Sequence, residues 1–175
     1  MGFFRSRVRS LPSPKVGILN VAGEYGKGLI EADLALLTGA FVRVEVLERS
    51  VPKCDVLFLY GRLTAAGAVE GLGQGLREVI RDSGAKVVIV ALENPVEHYI
   101  KAGAAKAYGQ ANLVMTLDRR GDAFARFFSN LFSMMKRGDS MSSAWAELCP
   151  QVPDMEHPGC PDTIFACEIG PLAFR

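Results

Sequence analysis

Histidine is scarce in this chain: two residues of 175, neither before position 98. No apolar run approaches the 18 or more residues that a membrane-spanning helix needs, and the longest, Val87 to Leu92, suits a buried strand. Arginines interrupt the only apolar stretch near the N-terminus, so a signal-peptide pattern is lacking. Charge of one sign is not in surplus either. Twenty Lys and Arg against 19 Asp and Glu leave a formal net charge of +1, without the broad basic excess of a dedicated nucleic-acid binder. The four cysteines include no C-x-x-C pair, and without a secretion signal they point to a reducing compartment and free thiols. Internal repeats and low-complexity tracts are absent. What remains, with 49% hydrophobic and 22% charged residues, is the composition of an ordinary globular domain. A chain of this length buries about 70% of its unfolded surface in one unit.

The charge is unevenly spread. Arg5, Arg7, Arg9 and Lys15 give the first 23 residues +4, since no acid precedes Glu24, and the remainder is −3. Met1-Gly2-Phe3-Phe4-Arg5-Ser6 fits the short pattern for N-myristoylation at Gly2. A single acyl chain holds a membrane only marginally, and a neighbouring basic patch such as Arg5, Arg7 and Arg9 is the usual second signal. The plainer reading is a frayed basic tail. Residues 1–14 are accordingly read as a basic arm ending in a stiff Leu11-Pro12-Ser13-Pro14 linker, and 15–175 as the domain.

From Lys15 onward strand and helix patterns alternate. Strands are expected at 16–21, 41–47, 56–60, 86–92, 112–117 and 163–169. Helices are expected through Ile30, Leu34 and Leu37; through Val69, Leu72, Leu76 and Val79; from Asn94 to Gly109; through the stripe Phe124 to Met135; and over 140–148. Asn94 is the expected cap of the third helix, with Pro95 at its first position. Such alternation predicts an α/β three-layer sandwich with a mostly parallel central sheet. The phenylalanine stripe is read as core.

Chemistry in such sheets concentrates at the C-terminal strand ends. The first strand ends in Ala22-Gly23-Glu24-Tyr25-Gly26-Lys27-Gly28, which matches neither G-x-G-x-x-G nor the phosphate loop ending in G-K-[ST]. A plain turn is the simpler reading, and a nucleotide site the sharper one. The aspartate cluster that a receiver domain uses to hold magnesium is missing.

The central strand ends carry more. Asp55-Val56-Leu57-Phe58-Leu59-Tyr60-Gly61-Arg62 and Ala85-Lys86-Val87-Val88-Ile89-Val90-Ala91-Leu92-Glu93-Asn94 resemble the two catalytic strands of the CHAT family of caspase-like peptidases. The resemblance extends through Lys101-Ala102-Gly103-Ala104-Ala105, the helix around Ala123-Phe124-Ala125-Arg126-Phe127-Phe128, and Gly138-Asp139-Ser140-Met141-Ser142-Ser143-Ala144-Trp145. It covers roughly residues 54 to 150, and it implies a caspase-like fold. In that family the first of these strands ends in the catalytic His and the second in the nucleophilic Cys. Here the matched positions are Arg62 and Leu92. Arginine stays protonated and cannot act as a general base, and leucine offers no nucleophile. Sliding the match by a residue or two does not restore the pair, because the nearby cysteine, Cys54, lies at the wrong end of its strand. The same lack of a Cys after a strand counts against class I glutamine amidotransferases.

Cys149, His157, Cys160 and Cys167, with Asp154 and Glu156 among them, contain enough donors for zinc. Their spacing is explained as well by a loop with one or two packed thiols, Cys167 falling within an apolar strand pattern. No metal and no cofactor are expected. The expectation is a catalytically degenerate caspase-like domain, not an enzyme, acting in the cytoplasm as an interaction or scaffolding module for a protein partner. A membrane contact through the N-terminus is a further expectation. The alternative is an enzyme or a small-ligand or nucleotide-binding protein whose site gathers Glu24, Tyr25, Lys27, Arg62, Glu93 and His98 at the strand ends.

Overall fold

The structure, a computed structural model, describes residues 8–37, 39, 41, 43–103, 110–149 and 161–175. The chain enters through a short strand, β1 (Arg9–Leu11), and then runs into β2 (Val16–Asn20), which is buried at every position. Helix α1 (Gly23–Leu37) leads to β3 (Val44–Leu47), and β4 (Val56–Tyr60) follows. Next come α2 (Leu76–Ser83), β5 (Val87–Val90), α3 (Val96–Gly103) and β6 (Asn112–Asp118). The last elements are α4 (Ala123–Lys136), α5 (Met141–Leu148), β7 (Asp162–Ala166) and β8 (Leu172–Phe174).

Six strands form one sheet in the order β3-β2-β4-β5-β6-β7, parallel except for β7, which runs antiparallel to β6. The continuous apolar runs of β2, β4 and β5 occupy the middle, because only a strand covered on both faces can be apolar at successive positions. Alternation along β4 divides the core in two. Val56, Phe58 and Tyr60 face α1, α4 and α5, whereas Leu57 and Leu59 face α2 and α3. This is the α/β three-layer sandwich expected of the sequence. The phenylalanine stripe is core, as read: Phe124, Phe127, Phe128, Leu131, Phe132 and Met135 are all buried. Phe58 meets Phe128 and Phe132 edge-on at 6.0 Å in each case, a favoured geometry for aromatic pairs.

Several boundaries differ from the sequence pattern, each for a local reason. The helix expected from Val69 begins only at Leu76, because Gly71 and Gly73 take left-handed φ of 82° and 68°, which an α-helix cannot contain. Residues 61–75 instead form a loop pinned by the bridges Leu63–Val69 and Ala68–Gly75. The Gly23–Gly28 stretch read as a turn is already helix α1. Phe41, expected to start β3, precedes that strand and is buried against Phe132, with ring centroids 5.0 Å apart. Cys167 lies beyond β7 and is exposed rather than inside a strand. The third helix runs to Gly103, and its expected continuation to Gly109 falls outside the described residues.

The stretch read as an arm and linker contains a strand. β1 pairs in parallel with β8, Arg9 opposite Leu172 and Leu11 opposite Phe174, and so lays the segment against α4. Three-residue strands carry too little alternation to be seen as a pattern. Gly2, Arg5 and Arg7 lie outside the described residues.

Candidate functional site

The sheet order places a topological switch point between β2 and β4, because the chain leaves these neighbours toward opposite sides of the sheet, to β3 and to β5. Loops leaving the carboxyl ends of such strands diverge and open a crevice. Asn20, buried at the end of β2, shapes one lip. Its Oδ1 accepts from the Ala22 N–H at 3.1 Å and its Nδ2 donates to the Gly23 carbonyl at 3.0 Å, an Asx arrangement that turns the chain into α1. Gly61 shapes the other. A Cβ there would collide with the Val21 side chain, so glycine lets the two strand ends approach.

The turns after β4 and β5 are clamped together. Asn94, buried, accepts the Leu63 N–H at 2.6 Å and donates to the Leu92 carbonyl at 3.0 Å and the Tyr99 hydroxyl at 3.2 Å. Tyr99 in turn donates to the Thr116 carbonyl at 3.0 Å. Asn94 is therefore not the helix cap that its position before Pro95 suggested. Its side chain is engaged across the strand ends, and α3 starts at Val96. His98 Nδ1 lies 2.8 Å from the Leu63 carbonyl oxygen and secures the same turn from the helix side.

Beneath this edge lies a charged group that no sequence pattern indicated. Asp33 and Arg119 are 3% and 5% exposed. Arg119 Nη2 donates to both Asp33 oxygens, at 2.9 and 2.7 Å, and Nη1 donates to the Ala91 carbonyl at 2.7 Å. The guanidinium carbon lies 3.9 Å from the centroid of the Phe124 ring. The Tyr60 hydroxyl donates to Asp33 Oδ2 at 2.6 Å. Burial, and then the Asp33 carboxylate, push the Tyr60 phenol well above its usual range and keep it a donor. Each buried charge is thus paired and hydrogen-bonded, as burial requires. The network ties α1 to the ends of β4, β5 and β6. It also fixes the backbone before Leu92.

Above the network a cavity of about 360 Å³ opens at the switch point, lined by Val21, Ala22, Tyr25, Arg62, Glu70 and Leu92. Tyr25, Arg62 and Leu92, singled out from the sequence, come together here. Glu24 lines the neighbouring cavity of about 470 Å³ with Asn20, Gly23, Glu48 and Arg49. Lys27 is exposed further along α1. Glu93 and His98 stand apart from the lining, Glu93 Oε1 accepting the Arg119 backbone N–H at 3.3 Å. The expected six-residue cluster is thus split among separate surroundings. Glu70, which the sequence reading placed inside a helix, belongs to the cavity because the loop over 61–75 folds back.

Cys54 sits before β4, at the opposite end of the strands, eight residues from Arg62 and so roughly 26 Å from the cavity at about 3.3 Å per extended residue. Burial pushes its thiol up to about 11, and a thiol held neutral is a poor nucleophile. Among the described residues no group of three or more His, Cys, Asp or Glu could hold a metal ion. His157 and Cys160 lie outside the described residues, Cys149 follows α5, and Cys167 is exposed. Among the described residues no helix is long and apolar enough to cross a membrane. No family model matches the chain, and neither does any curated protein or solved structure.

Proposed function

We propose that the chain is a catalytically inactive caspase-like, CHAT-like domain that serves as a protein-interaction or scaffolding module. The observation that carries this reading is that Arg62 and Leu92, the positions matching the family's His and Cys, border one cavity at the switch point. The turns bearing them are joined by Asn94 and backed by Arg119. A framework that positions two strand-end residues is present without a base or a nucleophile on it. A parallel sheet of this order is common to more than one kind of doubly wound protein, so the residue pair and not the topology supports the family reading. The partner is a protein, in a reducing cytoplasmic setting consistent with the three free thiols among the described residues. Gly2, Arg5, Arg7 and Arg9 would supply a peripheral membrane contact; Arg9 is exposed on β1.

A panel of fluorogenic peptides tests the inactive state. No turnover is expected from the homogeneous protein. Turnover that disappears on a Cys-to-Ala substitution would overturn the proposal.

The second reading is a small-ligand site at the strand ends, favoured by the open cavity beside exposed Tyr25 and Arg62. A nucleotide is one version of it, and a thermal-shift screen with millimolar nucleotides distinguishes that version by whether the protein is stabilised.

A further inference from the structure

The strand-end cavity is lined by two exposed side chains of opposite charge, Arg62 and Glu70. Glu70 and Arg62 are neighbours across the folded-back loop: the Glu70 N–H donates to the Arg62 carbonyl at 2.9 Å, next to the Leu63–Val69 bridge. Both side chains line the cavity. Yet among the described residues neither side chain joins an ion pair or hydrogen bond. Val21 and Ala22, both half-buried, supply apolar lining with the buried Leu92 behind it, and Tyr25, 58% exposed, supplies an aromatic wall.

The ligand chemistry follows by elimination. A simple anion would be drawn to Arg62 and repelled by Glu70, and a simple cation would meet the reverse. A wholly apolar molecule would strip water from both charges without replacing it, which is unfavourable. A molecule bearing one carboxylate and one ammonium around a short apolar body satisfies the whole lining. The start of α1 beside Ala22 also favours the carboxylate end through its positive dipole. A volume of about 360 Å³ lies at the small end of ligand pockets, suiting an amino acid rather than a dinucleotide.

We propose that this cavity binds a small zwitterion of the α-amino-acid type with an apolar side chain. Its carboxylate pairs with Arg62, its ammonium pairs with Glu70, and its side chain lies over Val21 and Tyr25. Binding is non-covalent, and it depends on the strand-end cavity rather than on the family resemblance.

Isothermal titration of the full chain with L-leucine and L-phenylalanine tests this, with N-acetyl-L-leucine and L-leucinamide as ligands lacking one charge each. Saturable binding is expected for at least one amino acid, and at least about tenfold weaker binding once either ligand charge is removed. Arg62→Gln should weaken the amino acid about tenfold or more but leave leucinamide unaffected. Glu70→Gln should weaken the amino acid similarly but leave N-acetyl-leucine unaffected. Both positions are exposed, so unchanged melting temperatures will show that the variants are folded. No saturable heat with either amino acid up to about ten millimolar, a concentration well above a millimolar Kd, overturns the inference. So does N-acetyl-leucine binding as tightly as leucine, or equal binding by wild type and both variants. Peptide turnover would contradict the inactive-domain reading without touching this result, and a null titration would leave that reading standing.

Discussion

Arg119 and Arg62 both sit just past strand ends on the same edge of the sheet, one below the surface and one on it. Arg119 is buried, saturated by Asp33 and the Ala91 carbonyl, and covered by Phe124. Arg62 is exposed and leaves its charge toward a cavity that also holds Glu70. A buried cation must be matched by the protein itself, since desolvation would otherwise expel it from the fold. A rim cation can leave its matching to solvent or to a ligand. The contrast separates a structural arginine from one available for recognition.

Breaking the buried side should have the largest effect. Arg119→Met leaves the Asp33 carboxylate uncompensated, and urea unfolding should show a loss of about 3–5 kcal/mol. Adding Asp33→Leu should restore much of that loss, because an apolar pair carries no buried charge. If the double variant is no more stable than Arg119→Met, the loss came from packing against Phe124 and not from the stranded charge.

A smaller effect is expected from Tyr60→Phe. It removes one hydrogen bond to a charged acceptor, worth about 1.5–3 kcal/mol, and its pH dependence sharpens the assignment. The folded-state phenol is raised by burial and by Asp33, so its contribution is complete below the unfolded phenol's range and is lost as pH rises through the folded value. Unfolding followed against pH should therefore show a flatter alkaline limb in Tyr60→Phe than in wild type. An identical limb would mean that the phenol does not titrate with unfolding.

Cys54 makes a further alkaline contribution of the same sign. Burial raises its thiol from 9.0 to about 11, so the stability associated with the neutral thiol is present below pH about 9 and lost toward about 11. Alkylation of Cys54 by iodoacetamide should be slow near pH 8 and accelerate toward pH 11. Rapid labelling at neutral pH would refute the raised thiol pKa.

The smallest change is expected at Arg62. Arg62→Gln should alter stability by no more than about 0.5 kcal/mol, as for surface substitutions that break no pairing. A loss of several kcal/mol would show that Arg62 is part of the scaffold and erase the contrast with Arg119.

The elements differ in how far they could be read from the chain. The runs Val56–Tyr60 and Val87–Val90, and the stripe from Phe124 to Met135, state their burial directly, because their apolar spacing follows from strand and helix geometry alone. The 61–75 loop looks partly helical in sequence because Val69, Leu72 and Leu76 keep a helical spacing, while Gly71 and Gly73 hold the backbone out of it. Asn94 looks like a cap because an Asn before a Pro fits one, and nothing local reveals that its oxygen accepts the Leu63 N–H. Arg62 and Leu92 stand out in the sequence through the resemblance of their two strands to a peptidase pair. Glu70 carries no local signal, because its place in the cavity depends on how the loop folds back.

By itself the sequence determined the layering: which strands lie in the middle, which helix face is core, and that no histidine precedes position 98 to complete a strand-end dyad. Those are properties of neighbouring residues and of composition. The tertiary structure alone decided that Asp33 and Arg119, 86 positions apart, would neutralise each other beneath the edge, and that Arg62 and Glu70 would line one cavity above it. Charge pairing over such separations depends on which segments the fold brings together and how much water it leaves between them. Neither quantity is encoded in local spacing.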